Sequence, residues 1–566
     1  MLLLNPKSYN RQHKDSETRE LMEKTIAFFE KKGLKAIKAD DQESKWHQDF
    51  FDFVREEKIF ATLLTPKGLK DGARWDMWRI SEFNEILGFY GLSYWYAWQV
   101  TILGLGPIWM SQNKKAKERA ALALEDGGLF AFGLSEKKHG ADIYSTSMTV
   151  KEGEEGKLTA TGEKYYIGNG NKAAFVSTFG KMAATGEYIF FLAEPSHKDY
   201  HLIKKIETSG VRPAFVAAYG LENYPVKEED ILSRGDEAWS SALNTVNIGK
   251  FELGFASIGI ATHAFYEAIH HAGHRKLYGK LVTDFPHVKK LFVEGYARLV
   301  ASKLFGLRAT DYMRVASSED RRYLLYNPIM KMKVTGEGEK VVGMLHEVIA
   351  AKGFEQDTYF EMAIRDIGML PKLEGTVHVN MALIIKFIKN YFFNNVDYPG
   401  VPVMDENKND DYLFAQSSGS LSKVLFPDHL RGYEGLELSN IKIFKDQISL
   451  FKKLLIKAPP TPEQAGNVDF MLANGELFTL IAYAQLIVEN AGHYEVSQGL
   501  LNQIYGFLVK DFSKYALSMV LGHSVTEDQE AIYQAMIQKA DFDQQGFDEV
   551  WDKEVWPLRD GYELEA

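Results

Sequence analysis

Hydrophobic positions change their period twice along this chain. Before about residue 125 they recur at helical spacing. Glu17 to Lys32 has helical composition and stops near Gly33; Trp75 to Leu87 carries an apolar face; Lys114 to Leu124, rich in Ala, Lys and Glu, runs into Gly127-Gly128, a C-terminal stop. Tyr94 to Trp109 is the most apolar stretch, and its glycines and Pro107 suggest buried helix ends. From Leu129 to about residue 235 short β-rich runs replace helices: Leu158 to Thr161, Tyr165 to Ile167, Ala174 to Phe179, Tyr188 to Leu192 and Val211 to Val216. Glycines at 153, 156, 162, 168, 170, 180 and 186 punctuate them, which predicts a compact antiparallel barrel or sandwich. No strand–helix–strand repeat occurs, so a Rossmann unit is not expected. Helical spacing returns at Ile248 and runs to Gly273. Asp284-Phe285-Pro286 opens a second helix, Glu337 to Ala351 forms a third, and Val377 to Phe392 a fourth, with Met381, Ile384, Ile385 and Ile388 on one stripe. Four long helices in a row predict an antiparallel bundle. Residues 396 to 411 read as a linker. Further helices follow, divided at Ala458 to Pro462; the clearest runs from Asn474, as cap, to Asn490 before Gly492.

The expected fold is therefore mainly α with a central β domain. Residues 1–127 form an N-terminal helical domain and 128–240 a small antiparallel β-barrel. Residues 241–395 form a four-helix bundle and 396–566 an additional C-terminal helical domain. A length of 566 residues suits three or four such units, and 45% hydrophobic residues suffice for their cores. The net charge of −11 has no concentrated basic face, which argues against nucleic acid as partner but leaves small anions open. The chain has no cysteine, which excludes disulfides, thiolate catalysis and Cys-ligated zinc or iron–sulfur sites. The start, MLLLNPKSYN, lacks the pattern of a signal peptide, and no stretch approaches the roughly 20 uncharged apolar residues of a spanning helix. A cytoplasmic location is expected.

Five segments carry candidate chemistry. The first is Phe132-Gly133-Leu134-Ser135-Glu136 with His139-Gly140-Ala141-Asp142; alone it reads as a strand and polar turn. The second, Gly162 to Ala173, contains Lys164, Tyr166, Ile167, Gly168 and an Asn169-Gly170 pair that would suit a hairpin turn. The third is Arg275-Lys276-Leu277-Tyr278-Gly279, otherwise a basic helix end. The fourth is Glu347 to Phe354, including Gly353. The fifth is Glu374-Gly375-Thr376, preceded by Arg365-Asp366, otherwise a helix cap.

Their order, across helices, β domain and bundle, resembles the acyl-CoA dehydrogenases over roughly residues 30 to 395; residues past 396 resemble the helical extension of the long-chain members. The resemblance implies FAD as cofactor, α,β-desaturation of an acyl-CoA substrate to a trans-2-enoyl thioester, and Glu374 as the base that removes the α-proton. It places Phe132, Leu134 and Ser135 on the flavin's pyrimidine edge and Tyr166, Ile167 and Gly168 on the isoalloxazine. Arg275 and Tyr278 would reach the pyrophosphate of a neighbouring subunit, hence at least a homodimer, with Glu347 and Gly353 at the adenosine end across that dimer. Thr376 and His378 would meet the adenine diphosphate; Ala141, Asn247, Lys250 and Gly375 would touch substrate. The sequence departs from the family at Gly168, where a Thr or Ser hydroxyl usually bonds N5, at Ala141, where Ser is usual, and at Ala350-Ala351, where two glycines are usual.

An electron-transferring flavoprotein is the acceptor this implies, in the cytoplasm or a mitochondrial matrix. Two alternatives stand beside it: an acyl-CoA oxidase, and a homologue that binds flavin or acyl-CoA without turnover. His263, Glu267, His270, His271 and His274 share one helix, but no further acid is apparent in the sequence, so no metal is expected. The extension's helices are ordinary amphipathic ones, which leaves peripheral membrane contact open.

Overall fold

Helical spacing before residue 125 becomes helices Ser16–Gln42, Gln48–Glu56, Ile59–Leu64, Met77–Tyr90, Leu92–Met110 and Lys114–Glu125 in the computed structural model, which describes residues 2–10, 13–403, 405–415 and 420–565. Asp15 caps the first helix by accepting from the Thr18 amide at 2.8 Å. Gly33, at φ 71°, kinks this helix instead of ending it. Leu92–Met110 is one continuous buried helix and not a set of helix ends. Pro107 falls within its last turn. Bare Gly104 lets the helix lie on the β domain: a Cβ there would come within 2.6 Å of the Ala131 amide nitrogen.

The β domain comprises β1 (Leu129–Gly133), β2 (Thr149–Glu152), β3 (Leu158–Gly168), β4 (Ala173–Met182), β5 (Tyr188–Ala193), β6 (Tyr200–Lys205), β7 (Val216–Val226) and β8 (Ile231–Arg234). They pair in the order β6-β7-β3-β2-β4-β5-β8, with β1 beside β4. Most pairings are antiparallel, but β1–β4 and β2–β4 are parallel, so the sheet is mixed. Asn169-Gly170 links β3 to β4 without forming a hairpin, because those strands do not pair with each other. The strand expected at Val211 begins instead at Val216: Val211 is left-handed at φ 47°, and Pro213 has no amide to donate.

The bundle is built from Gly235–His274, Pro286–Arg314, Thr335–Ile349 and the broken helix Val377–Ile384/Ile388–Phe393. The first begins well before Ile248. Pro286 takes the first-turn position its missing amide suits. Helix Tyr323–Ile329 and a π turn, Met330–Val334, lead into Thr335–Ile349. In the C-terminal region Ser439–Lys457, Val468–Ala491 and Gln498–Gly522 dominate. Asn467, not Asn474, caps the second of these, accepting from the Phe470 amide. Asn474 donates inside the helix to the Phe470 carbonyl and accepts from the Tyr533 hydroxyl at 2.7 Å. Val468–Ala491 is long and apolar enough to cross a membrane, yet 78% of that apolar window is buried inside the protein.

One large hydrophobic core runs through all helical regions, and a second lies within the sheet. The 396–411 segment, whose Met404 lies outside the described residues, is bonded to the N-terminal helices. Asp410 donates its amide to the Trp75 carbonyl at 2.6 Å and accepts from the Met77 amide at 2.8 Å.

Candidate active site

Glu374 stands in the turn between helices Tyr359–Ile367 and Val377–Ile384. It is left-handed at φ 50°, and Gly375 follows at φ 84°. A non-glycine residue held there costs energy and persists only where its surroundings impose it. Two side chains do so. Lys331, from the π turn, donates to the Pro371 carbonyl at 2.7 Å and to the Gly375 carbonyl. Asn380 donates to the Gly375 and Thr376 carbonyls, both at 3.1 Å, and its own oxygen accepts from Lys250 Nζ at 3.1 Å.

The result is a half-buried residue whose carboxyl lies sheltered beside two buried ammonium groups. Burial pushes Glu374 up to about 7, while Lys250 and Lys331 pull it down. Burial lowers Lys250 to about 8 and Lys331 to about 7, against the attraction of Glu374. A carboxyl near 7 suits proton transfer at neutral pH. Tyr96, buried in helix Leu92–Met110, also feels this carboxylate: burial first, then the charge of Glu374, raises its hydroxyl well above its ordinary value.

The same tyrosine meets the flank of β3. A Cβ added at Gly168 would lie 2.6 Å from Val100 Cγ2 and 2.7 Å from Tyr96 Cε1. Helix side chains therefore occupy the space a Thr or Ser at 168 would need. A bulge between Tyr165 and Ile167 turns Tyr166 to φ 63° and leaves it 62% exposed, an open aromatic face. Ile167 is buried beneath. At the end of β1, Phe132 is buried and Leu134 and Ser135 are half-buried. The Ser135 hydroxyl donates to the Tyr165 carbonyl at 2.7 Å, and its carbonyl accepts from the Tyr165 amide at 3.0 Å. Glu136 secures the junction. Its burial would raise it, but Lys164 at 2.8 Å, Thr146 and the Ser147 amide hold it at about 2. The exposed Tyr166 ring and the tied ends of β1 and β3 fit the flat ring of a flavin, with Gly168 buried behind them under Tyr96 and Val100.

Thr376 and His378 carry the Glu374 turn into helix Val377–Ile384, and Asn247 precedes Lys250 by one turn of helix Gly235–His274; the other predicted residues lie away from this turn. Ala141, Thr376 and His378 are exposed, and Asn247, half-exposed, accepts from Asn327 through its backbone carbonyl at 3.1 Å. Arg275 is exposed, and Tyr278, 95% exposed at φ 51°, tips a two-stranded hairpin. Glu347 is exposed and Gly353 buried. Ala350 takes φ 53°, so this loop keeps a glycine-like conformation without the glycine. Of the metal face, His263 is buried, stacked on Tyr359 at 3.5 Å and bonded to the Phe89 carbonyl. Tyr96, Lys331 and Asn380 stand outside the five sequence motifs. A trace existed: Lys331 and Lys333 interrupt an apolar run, and Asn380 sits beside the apolar stripe after Glu374.

Residues 236–389 match the family model "Acyl-CoA dehydrogenase, C-terminal domain". The chain is 23% identical over 293 residues to the short-chain specific acyl-CoA dehydrogenase of Megasphaera elsdenii, covering 49% of this chain and 72% of that protein. It is 22% identical over 386 residues to the caffeyl-CoA reductase-Etf complex subunit CarC of Acetobacterium woodii, covering 65% and 97%. The structure of an acyl-CoA dehydrogenase from Bacillus anthracis complexed with FAD superposes with a TM-score of 0.72 at 16% identity, covering 99% of this chain and 95% of that one. The C-terminal helices are therefore part of a fold already seen whole.

Proposed function

On the premise that this chain belongs to the acyl-CoA dehydrogenase family, we propose that it is an FAD-dependent oxidoreductase that desaturates an acyl-CoA thioester between Cα and Cβ. The observation that carries this reading is Glu374: a carboxyl raised to about 7, fixed by a left-handed turn and flanked by two buried lysines.

Bound FAD supplies the two-electron acceptor. Phe132, Leu134, Ser135, Tyr166 and Gly168 would hold its ring system. The chain's own part is positioning and proton transfer. The ionised Glu374 takes the α-proton as base. Lys331 and Asn380 occupy the loop carbonyls, which keeps the turn from relaxing. Lys250, through Asn380, ties helix Gly235–His274 to the same loop. Tyr96 and Val100 close the wall that a longer residue 168 would otherwise form. Electrons leave to an electron-transferring flavoprotein; a relative that is a subunit of a caffeyl-CoA reductase-Etf complex supports this acceptor. The protein acts as a homodimer, in which the exposed Arg275 and Tyr278 reach the partner's cofactor. The acyl group is left unspecified, because relatives span short-chain and very long-chain enzymes and an arylacrylate reductase.

Anaerobic mixing of FAD-loaded protein with acyl-CoA thioesters of graded chain length tests the reading. Flavin bleaching with at least one thioester is expected. Glu374→Gln should bind FAD and thioester but bleach at least about a thousandfold more slowly, as for loss of a positioned base. A wild-type flavin that no thioester bleaches overturns the proposal. Peroxide formation with oxygen as sole acceptor would place the chain with the oxidases.

A further inference from the structure

The end of helix Gly235–His274 and the last turns of the chain meet in a group that the proposed reaction does not use. His270 and His274, one turn apart, face Asp560, and one ligand atom from each lies within 4.8 Å of the others. Both rings are oriented by backbone. His270 Nδ1 donates to the Arg559 carbonyl at 3.0 Å, and His274 Nδ1 donates to the His270 carbonyl at 2.8 Å. Each Nδ1 therefore carries the proton, and each Nε2 lone pair is left for another partner. His274 Nε2 lies 3.2 Å from Asp560 Oδ1, and His270 Nε2 lies 3.8 Å from Glu563 Oε2; lone pair and carboxylate repel at such distances unless a proton or a cation stands between them. Asp560 Oδ2 is engaged separately by Arg559 at 3.1 Å, which leaves Oδ1 toward the histidines.

We propose that His270, His274 and Asp560, with Glu563 completing the set, form a binding site for a first-row divalent cation of the zinc type. Two neutral imidazoles and two carboxylates suit tetrahedral zinc, and backbone carbonyls fixing Nδ1 are the usual support for histidines that ligate through Nε2. Ligand atoms in such a site lie roughly 3.3 Å apart, from zinc bonds of about 2 Å. The Asp560 and Glu563 carboxylates, both more than half exposed, can rotate to shorten the present spacings while the rings keep their bonds to backbone carbonyls.

The location gives the ion a role. The C-terminal segment is a keystone. Gly561 accepts from Asn5 at 3.1 Å, Glu565 accepts from the Leu34 amide at 2.8 Å, and the Tyr562 hydroxyl donates to Glu30 at 2.8 Å. A cation here would staple that keystone to the bundle, one residue from Arg275.

The test uses full-length, FAD-loaded protein stripped with a chelator and titrated with zinc by calorimetry, then with cobalt by visible absorption. One site per chain is expected, with a tetrahedral cobalt spectrum and a higher Tm in the presence of zinc. His270→Ala/His274→Ala should abolish all three. Asp560→Asn should weaken zinc binding at least about tenfold while preserving flavin content, which shows the fold is intact. Equal isotherms for wild type and the double variant, or no zinc binding below millimolar concentration, overturn the site and leave a His274–Asp560 ion pair only.

Discussion

Eleven non-glycine residues among those described adopt positive φ, and five of them fall within the sequence motifs: Tyr166, Asn169, Tyr278, Ala350 and Glu374. Backbone held at positive φ persists where the neighbours, not local preference, set the conformation. Glu374 shows how. Its charge is opposed by burial and favoured by two lysines, so the ionised base accumulates as pH rises through about 7. The proton-abstraction rate should follow that limb, falling toward acid. Lys331→Met removes a cation that favours the carboxylate, so the limb should move to higher pH, read from the pH dependence of flavin bleaching. A limb that moves down, or stays, contradicts the assignment of Lys331. The same variant also releases the Pro371 and Gly375 carbonyls, so a lower maximal rate should accompany the shift.

Among the elements, the contact between helix Leu92–Met110 and β3 decides what position 168 can hold. Gly168→Thr would restore the family's hydroxyl but drive a Cβ into Val100 and Tyr96. We expect it to cost about 1–3 kcal/mol in chemical denaturation, the range for overpacking a filled space. Tyr96→Ala in the same chain should recover much of that loss, giving a coupling energy of about 0.5–3 kcal/mol; independent additive effects would refute the contact. Helix Val468–Ala491 offers a second check: Asn467→Ala removes its cap at a cost of about 1 kcal/mol, whereas the cap read from sequence, Asn474, is buried within the helix.

For the molecule as a whole, the C-terminal helices are joined to the bundle by a buried charge hub. Arg298 donates to Glu337 at 2.9 Å, to Asp511 at 2.8 Å and to Glu294 at 2.8 Å, with Lys333 and Lys340 close by. Asp511→Ala leaves that guanidinium and its lysine neighbours short of a partner and should lower stability by about 3–5 kcal/mol. Although burial opposes it, Arg298 holds Asp511 well below the ordinary carboxylate value. Its contribution is then complete above about pH 4, the unfolded value, and is lost as pH falls below it. Wild type and Asp511→Ala should therefore converge in stability toward acid. Truncation after residue 395 is expected to yield aggregating protein, because Leu480, Tyr483 and Ile487 belong to the same apolar core as Leu299 and Phe305.

The fold class, the existence of most long helices and the β region were legible in the sequence, and so was the short motif that holds Glu374, the acid proposed as base. Each rests on local physics: hydrophobic period, glycine and proline punctuation, or a short contiguous motif. Strand partners, the parallel placement of β1 against β4 and the continuity of Leu92–Met110 were not, because they depend on what lies across a contact and not along the chain. The same holds for the site. Glu374 announces itself with its neighbours in sequence, but Lys331 is 43 positions before it and Tyr96 belongs to another domain. The proposed metal cluster is the plainest instance. The sequence offers two histidines one turn apart; only the folded chain carries Asp560 back to meet them, because desolvation, charge pairing and ring orientation act on distance in space.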